Sequence, residues 1–387
     1  MMIGLYLYSN IKRKLYIYTY GMKRICNIYN TPSHYRLKIY SLLDEHYKCK
    51  FVFGDEDLKV RRFDLSELKD ASYVHVQHLG HFISEPGIIP YIFKKYDDYI
   101  LTAGTNDLSH WAFLILSKLF RKKKVYIWCH GIYGYESKLR RLVRKAYFGL
   151  ADGIFLYGGY ARNNMIQLGY NPEKLHLIHN SLDYDQQLKI RKKIVASSIY
   201  ADHFGNNNPT LIFIGRLTKV KKLGMLLDAV DVSRKENKNY NVVFIGDGVE
   251  RNTLIEQSRL LGLQDRVWFY GACYDEEENA RLIYNADLCV APGNVGLTSI
   301  HSMMFGTPVL THNDFVWQMP EFEVIDEWKT GCFFERDNAN DLAKRIAEWF
   351  NINGNDREKV RKACYEVIDT EWNPYYQMEV FKKVFGA

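Results

Sequence analysis

The chain has 387 residues, of which 47% are hydrophobic, and a formal net charge of +7; this length is too great for one ordinary core and predicts two domains. The sequence contains no run of roughly 18 apolar residues, which excludes a typical membrane-spanning helix. Its seven cysteines are odd in number and none are spaced as Cys-x-x-Cys, so we expect free thiols in a reducing, cytoplasmic compartment and neither a zinc site nor a disulfide framework.

Residues 1–21 are interpreted as an extension outside the fold, either flexible or lying at an interface. Their apolar start precedes the basic triplet Lys12, Arg13 and Lys14, which is the reverse of the order in a secretory signal peptide. Met22 offers a second start, so we place the beginning of the folded chain there.

The first half alternates short apolar strands with helices. Asp55, Glu56 and Asp57 follow the second strand, where carboxylates can hold a divalent cation; no second acidic cluster supports such a site, and a solvated acidic turn is preferred. The predicted strands are 23–30, 50–53, 73–77, 98–101, 124–129, 151–157 and 175–178, and the predicted helices are 37–46, 112–120 and 160–168.

His130 follows the strand 124–129 directly. Ligands of open α/β sheets bind outside the carboxyl ends of the strands, so this position favours a functional histidine. The alternative is a turn histidine that is hydrogen bonded to the backbone.

Two basic stretches flank that strand. Residues 118–124 and 138–145 each hold five Lys or Arg, and apolar residues interleave with the second stretch at helical spacing. Such a helix can lie on an anionic membrane surface. It can also be a solvated face whose apolar side packs on the sheet. Nucleic acid is not expected as a partner, because no recognition motif accompanies the charge.

The second half shows the same alternation more regularly, as expected for parallel strands with crossover helices. A turn-rich stretch around 184–208 is interpreted as a linker. The predicted segments are the extension 1–21, a first domain 22–185, the linker 186–208, a second domain 209–368 and a C-terminal part 369–387 with a helix over 374–385.

Residues 286–310 combine a buried strand, a glycine-containing loop (292–296) and a helix (298–305). This arrangement offers unpaired backbone N–H groups and the positive end of a helix dipole, for which a phosphate is a natural ligand. Taken alone, the pattern also fits an ordinary turn between a strand and a helix.

The second half resembles the nucleotide-sugar domain of GT-B glycosyltransferases, most of all glycosyltransferase family 4. The matching stretches occur in the family's order and, together with 151–183, cover most of residues 125–346. They are 215–230 (GRLTKVKKLGMLLDAV), 245–254 (IGDGVERNTL), 267–293, 296–309 (GLTSIHSMMFGTPV) and 329–346. The resemblance implies two Rossmann-like domains that face a cleft, with the C-terminal helix returning to the first domain.

The resemblance also implies roles for individual residues. Arg216 and Lys221 would bind the donor diphosphate, whose growing negative charge fixed cations can stabilise without a metal. His130 would lie beside the transferred sugar. The remaining expected donor-binding residues are Gly215, Gly246, Gly271, Gly293, Asn294, Val295, Gly296, Leu297, Thr298 and, near the family's Pro-Glu segment, Glu323.

The sequence departs from the family at the donor loop, where two glutamates normally stand with seven residues between them. Gly293 and His301 occupy these positions, which leaves the identity of the sugar open. His301 is interpreted either as a ligand of ribose or phosphate or as a structural residue. On the acceptor side, the family's early glycine-rich loop is replaced by residues 30–36, and the expected acceptor-binding residues are Asn30, His34, Arg36 and Tyr133.

We therefore predict a metal-independent, retaining hexosyltransferase without a cofactor. It would move a sugar from a UDP- or GDP-sugar to a hydroxyl of a lipid-linked surface glycan, in the cytoplasm or peripherally on the cytoplasmic face of the membrane. An inverting enzyme would need a base, for which Asp107 is the candidate. The alternatives are a non-catalytic sugar-nucleotide or glycan-binding subunit, which the missing glutamates would suit, and a GT-B sugar-nucleotide epimerase.

Overall fold

A computed structural model describes residues 22–57, 60–120 and 123–386. The predicted extension 1–21 lies outside these residues, as do Arg121 and Lys122 of the first basic stretch. The described chain contains two parallel β-sheets, one of seven strands and one of six, and a short two-stranded hairpin. The predicted fold class is confirmed.

The first sheet has the strand order β3-β2-β1-β6-β7-β8-β9, with all neighbours parallel. Its five inner strands are short and almost wholly buried because helices cover both faces, whereas the edge strands β3 and β9 are partly exposed. They are β1 (Arg24–Tyr29), β2 (Lys48–Gly54), β3 (Ala71–Val74), β6 (Asp98–Thr102), β7 (Lys124–Cys129), β8 (Gly153–Leu156) and β9 (Leu175–Leu177); β4 (Gln77–Leu79) and β5 (Phe82–Ser84) form the hairpin.

Four helices from the described part of the first domain accompany this sheet: α1 (Leu37–His46), α2 (Leu108–Ser117), α3 (Lys138–Gly149) and α4 (Gly159–Gln167). The helix predicted over 112–120 begins earlier because Asp107 caps it, accepting hydrogen bonds from the backbone N–H groups of Ser109 and His110. The strand predicted over 73–77 is wrong in its second half. The chain leaves the sheet after Val74 and turns into the hairpin.

The second sheet has the order β12-β11-β10-β13-β14-β15, again parallel throughout. Five of its six strands are completely or almost completely buried, and most of their residues are apolar, which explains why the sequence pattern was clear here. They are β10 (Thr210–Ile214), β11 (Asn241–Ile245), β12 (Val267–Gly271), β13 (Leu288–Ala291), β14 (Val309–His312) and β15 (Gly331–Phe334).

The stretch interpreted as a linker is largely helical. It contains α5 (Tyr184–Arg191) and α6 (Ile199–Phe204), which pack on the second domain, and Tyr200 is part of that domain's core. Its polar composition concealed these helices because each is short and buries only one or two side chains. The remaining helices are α7 (Gly224–Lys235), α8 (Arg251–Leu260), α9 (Glu276–Asn285), α10 (Thr298–Met304), α11 (Ala339–Asn353), α12 (Arg357–Thr370) and α13 (Pro374–Phe385).

Helix α13 spans the residues predicted for it and packs on the first domain. Met378, Phe381 and Phe385 belong to the same apolar cluster as Trp128 and Phe155 of the first sheet. The chain therefore crosses between the domains twice. All seven cysteines are free, and none of the helices in the described residues has the length and apolarity needed to cross a membrane.

Candidate active site

The carboxyl ends of both sheets carry the residues singled out from the sequence. Asn30 and His130 follow β1 and β7 of the first sheet, and Gly215 follows β10 of the second. Residues 292–297 connect β13 to α10 and form the loop that we call the donor loop. Three groups of contacts join the two domains at this edge, and each is described below.

Lys221 is fastened to the donor loop. Its Nζ donates hydrogen bonds to the backbone oxygen of Asn294 (2.7 Å) and to its side-chain Oδ1 (2.9 Å). Burial lowers the pKa of Lys221 to about 8, which the nearby carboxylate of Glu321 partly opposes. The amine is therefore mostly charged at pH 7 and close to losing its charge just above.

Gly293 explains why the first family glutamate is missing. Its N–H donates to the carbonyl of Lys221 (2.9 Å), and a Cβ atom at this position would lie 2.0 Å from the carbonyl oxygen of Val220. Any side chain here would collide with the backbone of the 219–221 turn. The path of the 219–221 turn therefore requires a glycine at position 293, where the family has a glutamate.

The rest of the donor loop is held by side chains from outside it. Gln318 accepts a hydrogen bond from the N–H of Val295 (2.9 Å), and the hydroxyl of Thr298 donates to the carbonyl of Ile214 (2.8 Å). The N–H groups of Gly296 and Leu297 donate to no atom of the described residues. Gln318 was missed in the sequence, where no motif points to it.

Arg216 is exposed at the end of β10, and its guanidinium makes no ion pair or hydrogen bond with the described residues. Gly246 serves packing at the same edge, since a Cβ there would lie 1.9 Å from the carbonyl oxygen of Gly215. Gly271 has a positive φ of 95° and open space around it. Of the three glycines that end strands of this sheet edge, Gly215 and Gly246 thus keep two strand ends close together.

His130 faces the cleft from the first domain. Its ring is accessible to solvent, yet the surrounding protein desolvates it and lowers its pKa to about 4, helped by the charges of Arg36 and Arg144. The ring lies beside that of Tyr157, with 5.0 Å between the centroids. A neutral imidazole at physiological pH can orient a hydroxyl by donating or accepting a hydrogen bond.

Arg36 lies in a box of aromatic rings. Its guanidinium carbon is 4.8 Å from the ring centroids of both Tyr29 and Trp128, and Nη2 donates a hydrogen bond to the hydroxyl of Tyr157. Nε and Nη1 are buried and have no hydrogen-bond partner in the described part of the chain. A buried cation with two unused donors is suited to an anionic or hydroxyl ligand.

Glu321 completes this centre and was missed as a site residue. It is 2% exposed, Oε1 accepts a hydrogen bond from Asn180 (2.8 Å), and Oε2 is buried without a partner in the described residues. Burial raises the pKa of Glu321, while the Asn180 hydrogen bond and the charge of Lys221 oppose the rise. Tyr133 is also buried, with an unpartnered hydroxyl. The signal in the sequence was Pro320, which places Glu321 in the Pro-Glu segment that was assigned to Glu323.

Glu323 caps a helix of the first domain. Its carboxylate accepts hydrogen bonds from the backbone N–H groups of Gly159 (2.6 Å) and Tyr160 (2.7 Å), at the start of α4 in the other domain. Both oxygens are thus used to cap a helix across the cleft. Tyr135 and Trp317 stack across the same boundary with 5.2 Å between their centroids.

His301 and His34 line one cavity of about 770 Å³ between the domains. Nε2 of His301 lies 2.9 Å from Oε1 of Glu276, which also accepts a hydrogen bond from Gln187. Burial alone would raise the pKa of Glu276, but His301 lowers it. An expected donor-side residue and an expected acceptor-side residue therefore share a cavity.

Asp107 and Asn30 form no hydrogen bond or ion pair with these groups in the described residues. Asn30 is exposed at the end of β1. Asp107 is buried, its Oδ1 is taken up by capping α2, and burial raises its pKa. Among the described residues, its side chain contacts none of the other expected site residues.

Helix α3 exposes apolar and basic side chains together. Leu139 is 71% and Leu142 is 65% exposed, and only Tyr147 and Phe148 of this helix are buried. The interpretation in which the apolar side of this helix packs on the sheet is therefore wrong for its first two turns. Trp111 and Tyr147 are in ring contact, which places α2 and α3 side by side.

Comparison with known families matches residues 195–367 to the family model described as glycosyl transferases group 1. The matched part contains α6, the whole second sheet and the donor loop. It also contains Arg216, Lys221 and Glu321.

Two relatives and one solved fold are similar to the chain. A Klebsiella pneumoniae protein described as an uncharacterized 41.2 kDa protein in the cps region is 24% identical over 87% of this chain and 82% of that protein. The amylovoran biosynthesis glycosyltransferase AmsD of Erwinia amylovora is 25% identical over 39% of this chain and 41% of that protein. The Anabaena protein Alr3699/HepE, solved in complex with UDP, has a TM-score of 0.67 and 15% identity, covering 94% of this chain and 100% of its own. The same protein in complex with UDP-glucose has a TM-score of 0.65 and 16% identity, with 94% and 100% of the two chains covered.

Proposed function

We propose that this chain is a GT-B glycosyltransferase, whose residues 195–367 match the group 1 transferase model, and that it transfers a hexose from a UDP-sugar to a hydroxyl of a lipid-linked surface glycan. The observation that carries the donor part is the meeting of Lys221, a free Arg216 and a donor loop with unused N–H groups at one sheet edge. Cations and N–H donors at such an edge are the groups that hold a diphosphate.

The transfer needs no metal in this proposal. As the bond between the sugar C1 and the phosphate oxygen breaks, negative charge grows on the leaving diphosphate, and Arg216 and Lys221 stabilise it. The acceptor oxygen bonds to C1, and its proton passes to the leaving phosphate oxygen on the same face of the sugar. This route retains configuration and requires no base, which agrees with the buried position of Asp107.

The N-terminal wall of the cleft would receive the sugar and the acceptor. His130 is neutral and accessible, and can orient a sugar hydroxyl. Arg36 has two buried nitrogens, Nε and Nη1, without a hydrogen-bond partner in the described residues, and these donors suit an anionic group of the acceptor. Glu321 lies between this wall and Lys221, where its free oxygen could accept a hydrogen bond from a hydroxyl after the cleft opens.

UDP is favoured as the nucleotide because the similar Anabaena structures contain UDP and UDP-glucose. A surface polysaccharide is favoured as the product because of the cps-region and amylovoran relatives. A lipid-linked acceptor and contact with an anionic membrane are favoured by α3, whose exposed Leu139 and Leu142 stand among Arg140, Arg141 and Lys145.

The test of transfer uses purified protein, UDP-[¹⁴C]glucose and the lipid fraction of cells that make a surface polysaccharide. We expect label in the butanol-extractable fraction with wild type, and none with the double variant Arg216→Ala/Lys221→Ala. If UDP-glucose gives no product, the other UDP-hexoses are tested in the same assay. Intact UDP binding without transfer from any UDP-hexose would overturn the proposal in favour of a non-catalytic binding subunit, and isomerised UDP-sugar without an acceptor would favour an epimerase.

The membrane part has its own test, which is flotation with vesicles containing phosphatidylglycerol. Wild type should float at low salt, and the variant Leu139→Ser/Leu142→Ser should not. Val249 is 79% exposed on the other domain, so Val249→Ser is the matched control and should float like wild type. Equal flotation of all three proteins would contradict the role of α3.

A further inference from the structure

A buried cluster of Glu85, Asp107 and His110 lies in the first domain, outside the proposed transfer site. Glu85 follows β5, and the other two residues begin α2. All three residues are at most 6% exposed. They come from two separate segments that meet beside the carboxyl end of β6, on the acceptor side of the molecule.

The distances in the cluster are those of ligands around a common centre. Nε2 of His110 lies 3.6 Å from Oε2 of Glu85 and 3.8 Å from Oδ2 of Asp107, and one ligand atom from each residue lies within 4.8 Å of the other two. These separations are too long for hydrogen bonds. Two ligands of a tetrahedral ion with bonds of ~2.1 Å lie about 3.4 Å apart, which is close to what is observed.

His110 supplies an independent observation. Its Nε2 is fully buried and has no hydrogen-bond partner in the described residues. A buried ring nitrogen without a partner is costly.

The charges in the cluster also call for a cation. Two buried carboxylates lie together, and no Lys or Arg of the described residues forms an ion pair with Glu85 or Asp107. Buried charges are stable only when they are paired or bind a metal.

The surrounding hydrogen bonds hold the three ligand groups in place. Oδ1 of Asp107 accepts from the N–H groups of Ser109 (2.8 Å) and His110 (3.2 Å), which leaves Oδ2 directed to the cluster. The hydroxyl of Ser109 accepts from the N–H of Glu85 (2.8 Å). At Gly104, a Cβ would lie 2.9 Å from Nδ1 of His110, so the absence of a side chain there leaves room for the ring. Support of this kind is usual around metal ligands.

We propose that Glu85, Asp107 and His110 bind one divalent cation, with Zn²⁺ as the best fit. One imidazole nitrogen and two carboxylate oxygens suit Zn²⁺, whereas Mg²⁺ prefers oxygen ligands and retains its waters. The ion would connect the end of the hairpin to the start of α2. Its ligand from Asp107 would be Oδ2, because Oδ1 caps the helix. The proposed metal site is separate from the proposed diphosphate site, so the metal proposal does not depend on the proposed transfer.

The test is metal analysis of the untagged, full-length protein. After dialysis against EDTA and reloading with Zn²⁺, we expect one equivalent per chain by plasma mass spectrometry, and a rise in melting temperature that Mg²⁺ does not give. Glu85→Gln and His110→Gln should each lose the equivalent and the rise. His75 lies 2.8 Å from Asp55 in an exposed pair, so His75→Gln is the matched control and should keep both.

Wild-type protein gives a second readout if the variants do not fold. Co²⁺ in place of Zn²⁺ should give visible absorption bands of a nitrogen–oxygen site, without the strong charge-transfer band of a thiolate ligand. No bound Zn²⁺ in wild type, a thiolate band, or an equivalent retained by folded His110→Gln would each overturn the proposal.

Discussion

The cleft has an N-terminal wall from the first domain and a C-terminal wall from the second domain, and the two walls are built in different ways. On the C-terminal wall, the donor loop and Lys221 are tied together by backbone groups and short polar side chains that lie close to the strand ends. On the N-terminal wall, Arg36 is enclosed by aromatic rings from three distant segments, and several buried polar atoms lack partners in the described residues. The donor loop of the first wall is held in place without a ligand, and Arg216 and the N–H groups of Gly296 and Leu297 are left without partners in the described residues. The second wall instead contains buried donors of Arg36 that have no partner there. This difference suggests that the nucleotide is held by a preformed site and that the acceptor completes its own.

The largest expected effect concerns the preformed wall. Lys221→Ala removes two charge-assisted hydrogen bonds to Asn294 and one cation of the proposed diphosphate site. We expect UDP affinity to fall on the order of 100-fold by calorimetry, since a hydrogen bond to a charged group contributes about 1.5–3 kcal/mol. Lys219 is exposed on the same turn, and Lys219→Ala should bind UDP like wild type; an equal loss in both variants would point to general charge instead of a built site.

A substitution in the N-terminal wall should reduce transfer and leave UDP affinity unchanged. Arg36→Met keeps the bulk of the side chain but removes the buried donors, so transfer should fall roughly 30-fold while UDP affinity stays unchanged. The measurement is kcat/KM for the acceptor beside calorimetry with UDP. A matching loss of UDP affinity would erase the distinction between the walls.

The pH dependence sharpens the role of Lys221. Its pKa is lowered to about 8 by burial, so the amine is charged below that pH and neutral above it. UDP affinity should therefore fall about tenfold between pH 7 and pH 9, following the protonated fraction. Lys221→Arg keeps the charge throughout and should flatten the profile; a fall of the same size in that variant would assign the titration to another group.

The smallest expected effect concerns the contact that joins the walls. Glu323→Gln weakens the cap on α4, so the free energy of unfolding in urea should fall by about 1 kcal/mol. Glu327 is exposed nearby, and Glu327→Gln should leave stability unchanged. Small-angle scattering should also show a larger radius of gyration for Glu323→Gln. A radius equal to that of wild type would mean that this cap does not hold the cleft closed.

The sequence predicted the C-terminal wall better than the N-terminal wall for a physical reason. Phosphate-binding loops are local, so strand, glycine loop and helix appear together in residues 286–310. The box around Arg36 is assembled from β1, β7 and Tyr157 directly after β8, and no spacing in the chain reveals it. Glu321 was missed because Glu323 was given its place in the Pro-Glu segment, and the linker concealed α5 and α6 because they bury few side chains.

The measurement that tests the account most directly is hydrogen–deuterium exchange of the wild-type protein with and without UDP. UDP should protect residues 215–222 and the donor loop over 292–297, with little change around Arg36 and His130. Protection confined to the N-terminal wall, or none at saturating UDP, would contradict the assignment of the nucleotide to the C-terminal domain.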